Sequence, residues 1–140
     1  APTRPRWFDL DRFAGPPRLT NWVARTDDMA ADLPIGPPNW GLPLTLTRGD
    51  YRWQMAVPDD GILPFDGAYP ALIQWLTPLH PTQALPDAGV RLKELTITHP
   101  QAAALSAALP LTDPRLRLVQ GPQKAISATF QTPQGERSLP

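Results

Sequence analysis

The side chains best suited to moving a proton near neutral pH are two histidines, His80 and His99, joined by the strand carboxylate Glu94. Both histidines precede proline, and an X-Pro step holds the preceding backbone extended. An imidazole placed there caps a helix, bonds a turn or faces a cleft. For His99, at the start of the Ala-rich run AAALSAAL, the capping role is favoured. His80 lies in the loop LHPTQALP and is the stronger catalytic candidate of the two histidines; Glu94, whose plainer role is a solvent-facing strand end, is the other catalytic candidate. Arg52 offers a planar fork for a carboxylate, Gln54 and Gln74 offer amides, Thr96 a hydroxyl and Trp75 a stacking surface, so these five are the candidate ligand-binding residues. Each has a plainer alternative. An arginine on an exposed strand needs no ligand, and Trp22, Trp53 and Trp75 are better suited to filling a small core.

Other chemistries find little support. The chain has no cysteine, which excludes disulfides, thiolate metal sites and cysteine nucleophiles. It has no GxSxG elbow, GxGxxG or GxxxxGK[ST] loop, and nothing local activates Ser106, Ser127 or Ser138. Basic and acidic residues balance at 13 each with no basic cluster, so nucleic acid is not an expected partner. No apolar run approaches the roughly 20 residues that span a bilayer, and no signal peptide is visible, so no membrane partner and a cytoplasmic location are expected.

The elements that must position these residues are short. Twenty prolines in 140 residues break the chain repeatedly, because each fixes φ and removes an amide donor. Residues 1–17 lack a steady period and read as an extended arm that docks through Trp7, Phe8 and Phe13. LTNWVAR is a strand candidate, followed by the N-cap types Thr26, Asp27 and Asp28 and by a helix of one or two turns that Pro34 stops. LPLTLT and YRWQMAV alternate around the turn Arg48–Gly49–Asp50 and predict a hairpin, and ALIQWL adds another strand. The order then repeats as RLKELTIT, the helix AAALSAAL, RLRLVQ, KAISATFQ and ERSL. The expected fold class is therefore α+β, with two β-α-β-β-β modules over residues 18–86 and 87–140 forming one domain. Mixed or antiparallel sheets of this kind leave a cleft between them. Polar strand members, among them Arg52, Gln54, Gln74 and Thr96, are candidates for its lining, though a one-residue register change exchanges the two faces.

The pieces YRWQMAVP, GILPF, LIQW, HP followed by LP, and LxxLTITHP resemble the glyoxalase-like domain proteins of the vicinal oxygen chelate superfamily, from about Pro16 to Leu139. The resemblance implies small-molecule binding in the cleft between modules. It implies either an enzyme of lyase, isomerase or dioxygenase type or a non-catalytic sequestering module like the drug-resistance members. A third reading is the structural half of a larger glyoxalase-like protein, with an upstream module or a second copy as partner. Many superfamily enzymes hold a divalent metal by His and Glu on the first and last strands of each module. The matching positions here are Asn21 and Glu94, then Gln74 or Trp75, and Leu139. One carboxylate with an amide and apolar neighbours is a poor donor set, so no metal ligand and no cofactor is predicted in this chain, although the resemblance allows a divalent ion.

Overall fold

Alternation at Leu42, Leu44 and Leu46 and again at Tyr51, Trp53, Met55 and Val57 produces the hairpin β2 (Leu42–Arg48) and β3 (Tyr51–Val57). Its turn uses Gly49 at φ 57°, a left-handed conformation that glycine adopts without a Cβ clash. The computed structural model describes residues 4–140. β4 (Ala71–Trp75) pairs antiparallel with β3, setting Trp53 against Trp75 and Gln54 against Gln74. The edge strand β1 (Val23–Arg25) runs parallel to β4, so the first sheet has the order β1-β4-β3-β2.

The strand expected from Leu19 forms only from Val23. The Leu19 N–H is committed elsewhere, donating to the Pro140 carbonyl at 2.7 Å, so the leading half of this segment runs beside the far end of the chain. After β1, the Asp28 side chain accepts the Ala31 N–H at 3.1 Å and caps α1 (Met29–Asp32). Pro34 then tightens the chain into a 3-10 turn over Leu33–Ile35.

The second sheet contains β5 (Arg91–His99), β6 (Leu116–Gln120), β7 (Ala125–Thr132) and β8 (Gly135–Leu139). α3 (Ala102–Ala108) links β5 to β6 and buries Ala102 and Leu105. The expected element order thus occurs twice, in an α+β fold of two four-stranded mixed sheets. The strand order differs between them. In the second sheet it is β6-β5-β7-β8, so the first strand of the unit is internal and the parallel partner of β5 is β6. β6 becomes a free edge as a result.

Between β3 and β4 runs a long connection that belongs to both units. It buries Leu63, Ala68 and Tyr69, and the Tyr69 hydroxyl donates to the Ala108 carbonyl at the end of α3, at 2.6 Å. Phe65 stacks on Tyr69 and meets the buried His99 edge-on at 5.7 Å. Trp40, absent from the expected core, is 1% exposed and donates its indole N–H to the Pro70 carbonyl at 2.6 Å. Gly41 beside it, at φ 99°, lies so close to β3 that a Cβ would meet the Val57 backbone at 2.4 Å. Among the described residues no helix is long and apolar enough to cross a membrane.

Candidate functional site

Register sorts the predicted residues of the first sheet onto two faces, since paired residues share a face and neighbours along a strand do not. Arg52, Gln54 and Gln74 fall on one face with Ala24, Ala56 and Leu72. This is the face that carries α1. Gln74 accepts the Met29 N–H at 2.9 Å and donates to the Asp27 carbonyl at 3.0 Å, so its amide clamps the start of that helix. Arg52 is exposed, and its backbone carbonyl accepts the Leu76 N–H at 2.9 Å.

Trp75 lies on the opposite face with Tyr51, Trp53, Met55 and Ile73. Its ring centroid is 5.5 Å from Trp53, 6.3 Å from Tyr51 and 4.8 Å from His80. His80 caps α2 (Pro81–Ala84). Its Nδ1 accepts the Thr82 N–H at 3.2 Å, while the Gln83 side chain accepts the His80 N–H at 3.0 Å, completing a capping box. The other histidine acts as expected at a helix start, its Nδ1 accepting the Gln101 N–H at 3.0 Å.

Glu94 and Thr96 meet on the second sheet, where the Thr96 hydroxyl donates to Glu94 at 3.2 Å and Arg117 closes an ion pair with the same carboxylate. The Arg117 guanidinium holds the Glu94 carboxyl below its ordinary value. The seven predicted residues therefore form three separate groups: Arg52, Gln54 and Gln74 by register, His80 with Trp75 by ring contact, and Glu94 with Thr96. No hydrogen bond or ion pair joins His80 to Glu94.

The same separation decides whether these positions suit a divalent metal. Asn21 lines a small cavity under the N-terminal arm, Gln74 is spent on α1, and Glu94 is held by Arg117. They do not converge, and among the described residues no three His, Asp or Glu side chains cluster as ligands would. Asn21, Gln74 and Glu94 are therefore not one donor set.

The two sheets do enclose a groove, of about 330 Å³, where β1 of the first faces β5 and the free edge β6 of the second. Trp22, Val23 and Ala24 form one wall, and Leu92, Leu95, Leu111 and Leu116 the other. Arg25, Thr112, Asp113 and Arg115 ring its mouth. Asp113 accepts both arms of the Arg115 fork, at 2.9 and 2.7 Å, and the Arg115 backbone N–H at 2.9 Å. These bonds pull its carboxyl down to about 2. Arg25 reaches Asp27 at 3.1 Å. The ionisable side chains of the lining are thus ion-paired, and none is a base of near-neutral strength.

No predicted site residue lines this groove. Nothing in the sequence marked its leucines, yet a signal was present in the lengths. The seven residues of α3 span about 10 Å, whereas the nine of β5 span about 30 Å. A helix that short leaves the Leu92 and Leu95 end of the strand uncovered.

Comparison with known proteins adds one match. A family model described as a glyoxalase-like domain matches residues 1–112. No curated protein and no solved structure matches.

Proposed function

This chain belongs to the glyoxalase-like domain family, and from that membership and the groove geometry we propose that it binds a small, largely apolar organic molecule between its two sheets. The observation that carries the reading is the groove itself. Both sheets contribute apolar walls, and charge is confined to the mouth, the pattern of a pocket in which apolar contact gives affinity and a few polar groups give orientation. In this reading residues 18–86 and 87–140 are two units of one domain, and the ligand sits where they meet.

The chemistry of the lining favours holding over turnover. An aspartate titrating at about 2 is a weak base near neutral pH, and Arg115 occupies both its oxygens. His80 and Glu94 lie outside the groove, so a catalytic role for either would belong to a different site.

The test uses N-phenyl-1-naphthylamine, a neutral apolar probe whose emission rises on leaving water. Val23 is 42% exposed on the edge strand, so Val23→Arg places a long cation across the mouth without opening the core. Saturable emission in the native chain, weakened about tenfold or more in Val23→Arg with unchanged circular dichroism, supports the site. Equal binding by the two proteins removes it.

A second reading, in which the chain is half of a larger glyoxalase-like assembly, draws on the face of Tyr51, Trp53 and Trp75. Three aromatic rings stay partly exposed there. Light scattering on the chain alone and on a longer product of its reading frame separates the two readings. A face that remains open in both proteins leaves only the first.

A further inference from the structure

Two cavities away from the groove share one wall. The smaller, about 80 Å³, lies beneath the N-terminal arm, between Phe8, Phe13, Ile62 and Leu63. The larger, about 310 Å³, runs along Leu19, Ala125, Ile126 and Ser127. Arg18, Thr20 and Lys124 line both. The wall thus borders a small cavity that also carries Asp9 and Asp66 on one side and a larger, mostly apolar one on the other.

Among the described residues the two cations on that wall are bonded only to neutral oxygens. Arg18 Nη1 donates to the carbonyls of Ala14 at 2.7 Å and Pro16 at 3.4 Å, and its guanidinium lies 4.5 Å above the Phe13 ring. Its Nε and Nη2 make no hydrogen bond among the described residues. Lys124 Nζ donates one N–H to the Asp66 carbonyl at 2.5 Å, leaving two of its three donors. The acids nearby act chiefly on a third cation: Asp9 pairs with Arg12 at 2.7 Å, and Asp66 and Asp60 also stabilise the Arg12 charge. Next to the wall, Thr20 donates to Asn21 Oδ1 at 3.0 Å, which leaves the Asn21 amide N–H groups for another acceptor.

Backbone strain marks the same place. Phe8 and Asp9 are consecutive left-handed residues, at φ 63° and 56°, and so are Phe65 and Asp66, at 56° and 53°. Phe8, Asp9 and Asp66 all line the smaller cavity. Non-glycine residues in this conformation are strained and cluster where a ligand is clamped.

We propose that Arg18 and Lys124 form a binding site, distinct from the groove, for a monocarboxylic acid with a short aliphatic tail. The carboxylate sits against the free edge of the Arg18 fork and the remaining Lys124 donors, and the tail lies along Leu19, Ala125 and Ile126. An exposed cation pair alone would bind any anion weakly. The adjoining apolar channel selects an acid that carries a tail.

Calorimetric titration with hexanoate, hexanamide and acetate at matched ionic strength tests the site. Expected are saturable hexanoate binding in the millimolar range or tighter, and hexanamide and acetate each weaker by about tenfold. Lys124→Gln and Arg18→Gln each weaken hexanoate about tenfold, while Arg117→Gln, paired with Glu94 on the second sheet, leaves it unchanged. Ala125→Gln, an exposed position, brings hexanoate affinity down to that of acetate without touching either cation. Absence of saturable hexanoate binding, hexanamide binding as tight as hexanoate, or unchanged affinity in both cation variants overturns the proposal. Val23→Arg leaves hexanoate binding intact, so failure of the groove reading and failure of this one are told apart.

Discussion

The imidazole of His80 stands edge-on to the indole of Trp75, their centroids 4.8 Å apart and their planes at 68°. One ring comes from the end of β4 and the other from the cap of α2. The contact therefore ties a helix cap to the aromatic face of the first sheet.

Replacing His80 by Ala removes both the acceptor for the Thr82 N–H and the ring against Trp75, and it costs about 1 kcal/mol of stability. His80→Asn keeps an oxygen at the cap and stays within a few tenths of the native value. Urea midpoints measure both. A His80→Asn loss as large as that of His80→Ala would mean that the ring contact, not the cap, supplies the stability.

Gln74→Leu strands the Met29 N–H and the Asp27 carbonyl, and it destabilises the chain by about 1–3 kcal/mol. Naphthylamine binding in the groove is unaffected, because Gln74 does not line it. Loss of probe binding with stability intact would assign the amide to the ligand instead.

Asp113 carries the clearest pH dependence of the groove. Its folded pKa, about 2, lies below the ordinary 3.8, so its pairing with Arg115 contributes fully above 3.8 and is lost as pH falls towards 2. Asp113→Asn is accordingly less stable than the native chain at neutral pH, by a small amount because the pair is partly solvated, and the difference closes in acid. Thermal midpoints across that range check the sign. A gap that widens in acid contradicts it.

Gly61 takes φ 76°, and a Cβ there would stand 2.4 Å from the Arg6 carbonyl oxygen. Its own carbonyl accepts the Asp9 N–H at 3.0 Å. Gly61→Ala should lift the N-terminal arm, seen as faster tryptic cleavage at Arg12 and Arg18 and as weakened hexanoate binding. Cleavage at the native rate would show that the arm shifts without leaving.

Much of this architecture was legible from residue type and spacing. Alternation located β2, β3, β4 and β5 within a residue or two, the N-cap types Thr26, Asp27 and Asp28 announced α1, and Pro34 marked its end. What alternation cannot supply is the face. Gln74 and Trp75 are adjacent, and only the landing of α1 on one side decides that the glutamine clamps a helix while the tryptophan joins the aromatic face. Trp40 sits in a Pro- and Gly-rich stretch without a period, so nothing local marked it as the most buried tryptophan. The groove was hidden for a different reason. It arises between the edges of two sheets, and although the short α3 hints at an uncovered end of β5, the facing wall from β1 follows only from how those sheets are placed.

The connection between β3 and β4 reaches across that placement. Tyr69 bonds α3, Phe65 abuts His99, and the Asp66 carbonyl receives Lys124 from the loop before β7. Burial raises the Tyr69 pKa well above its ordinary 10.0, so the phenol remains a donor at neutral pH. Neither half can open without exposing what the other shelters, and the whole chain should therefore melt in one cooperative step.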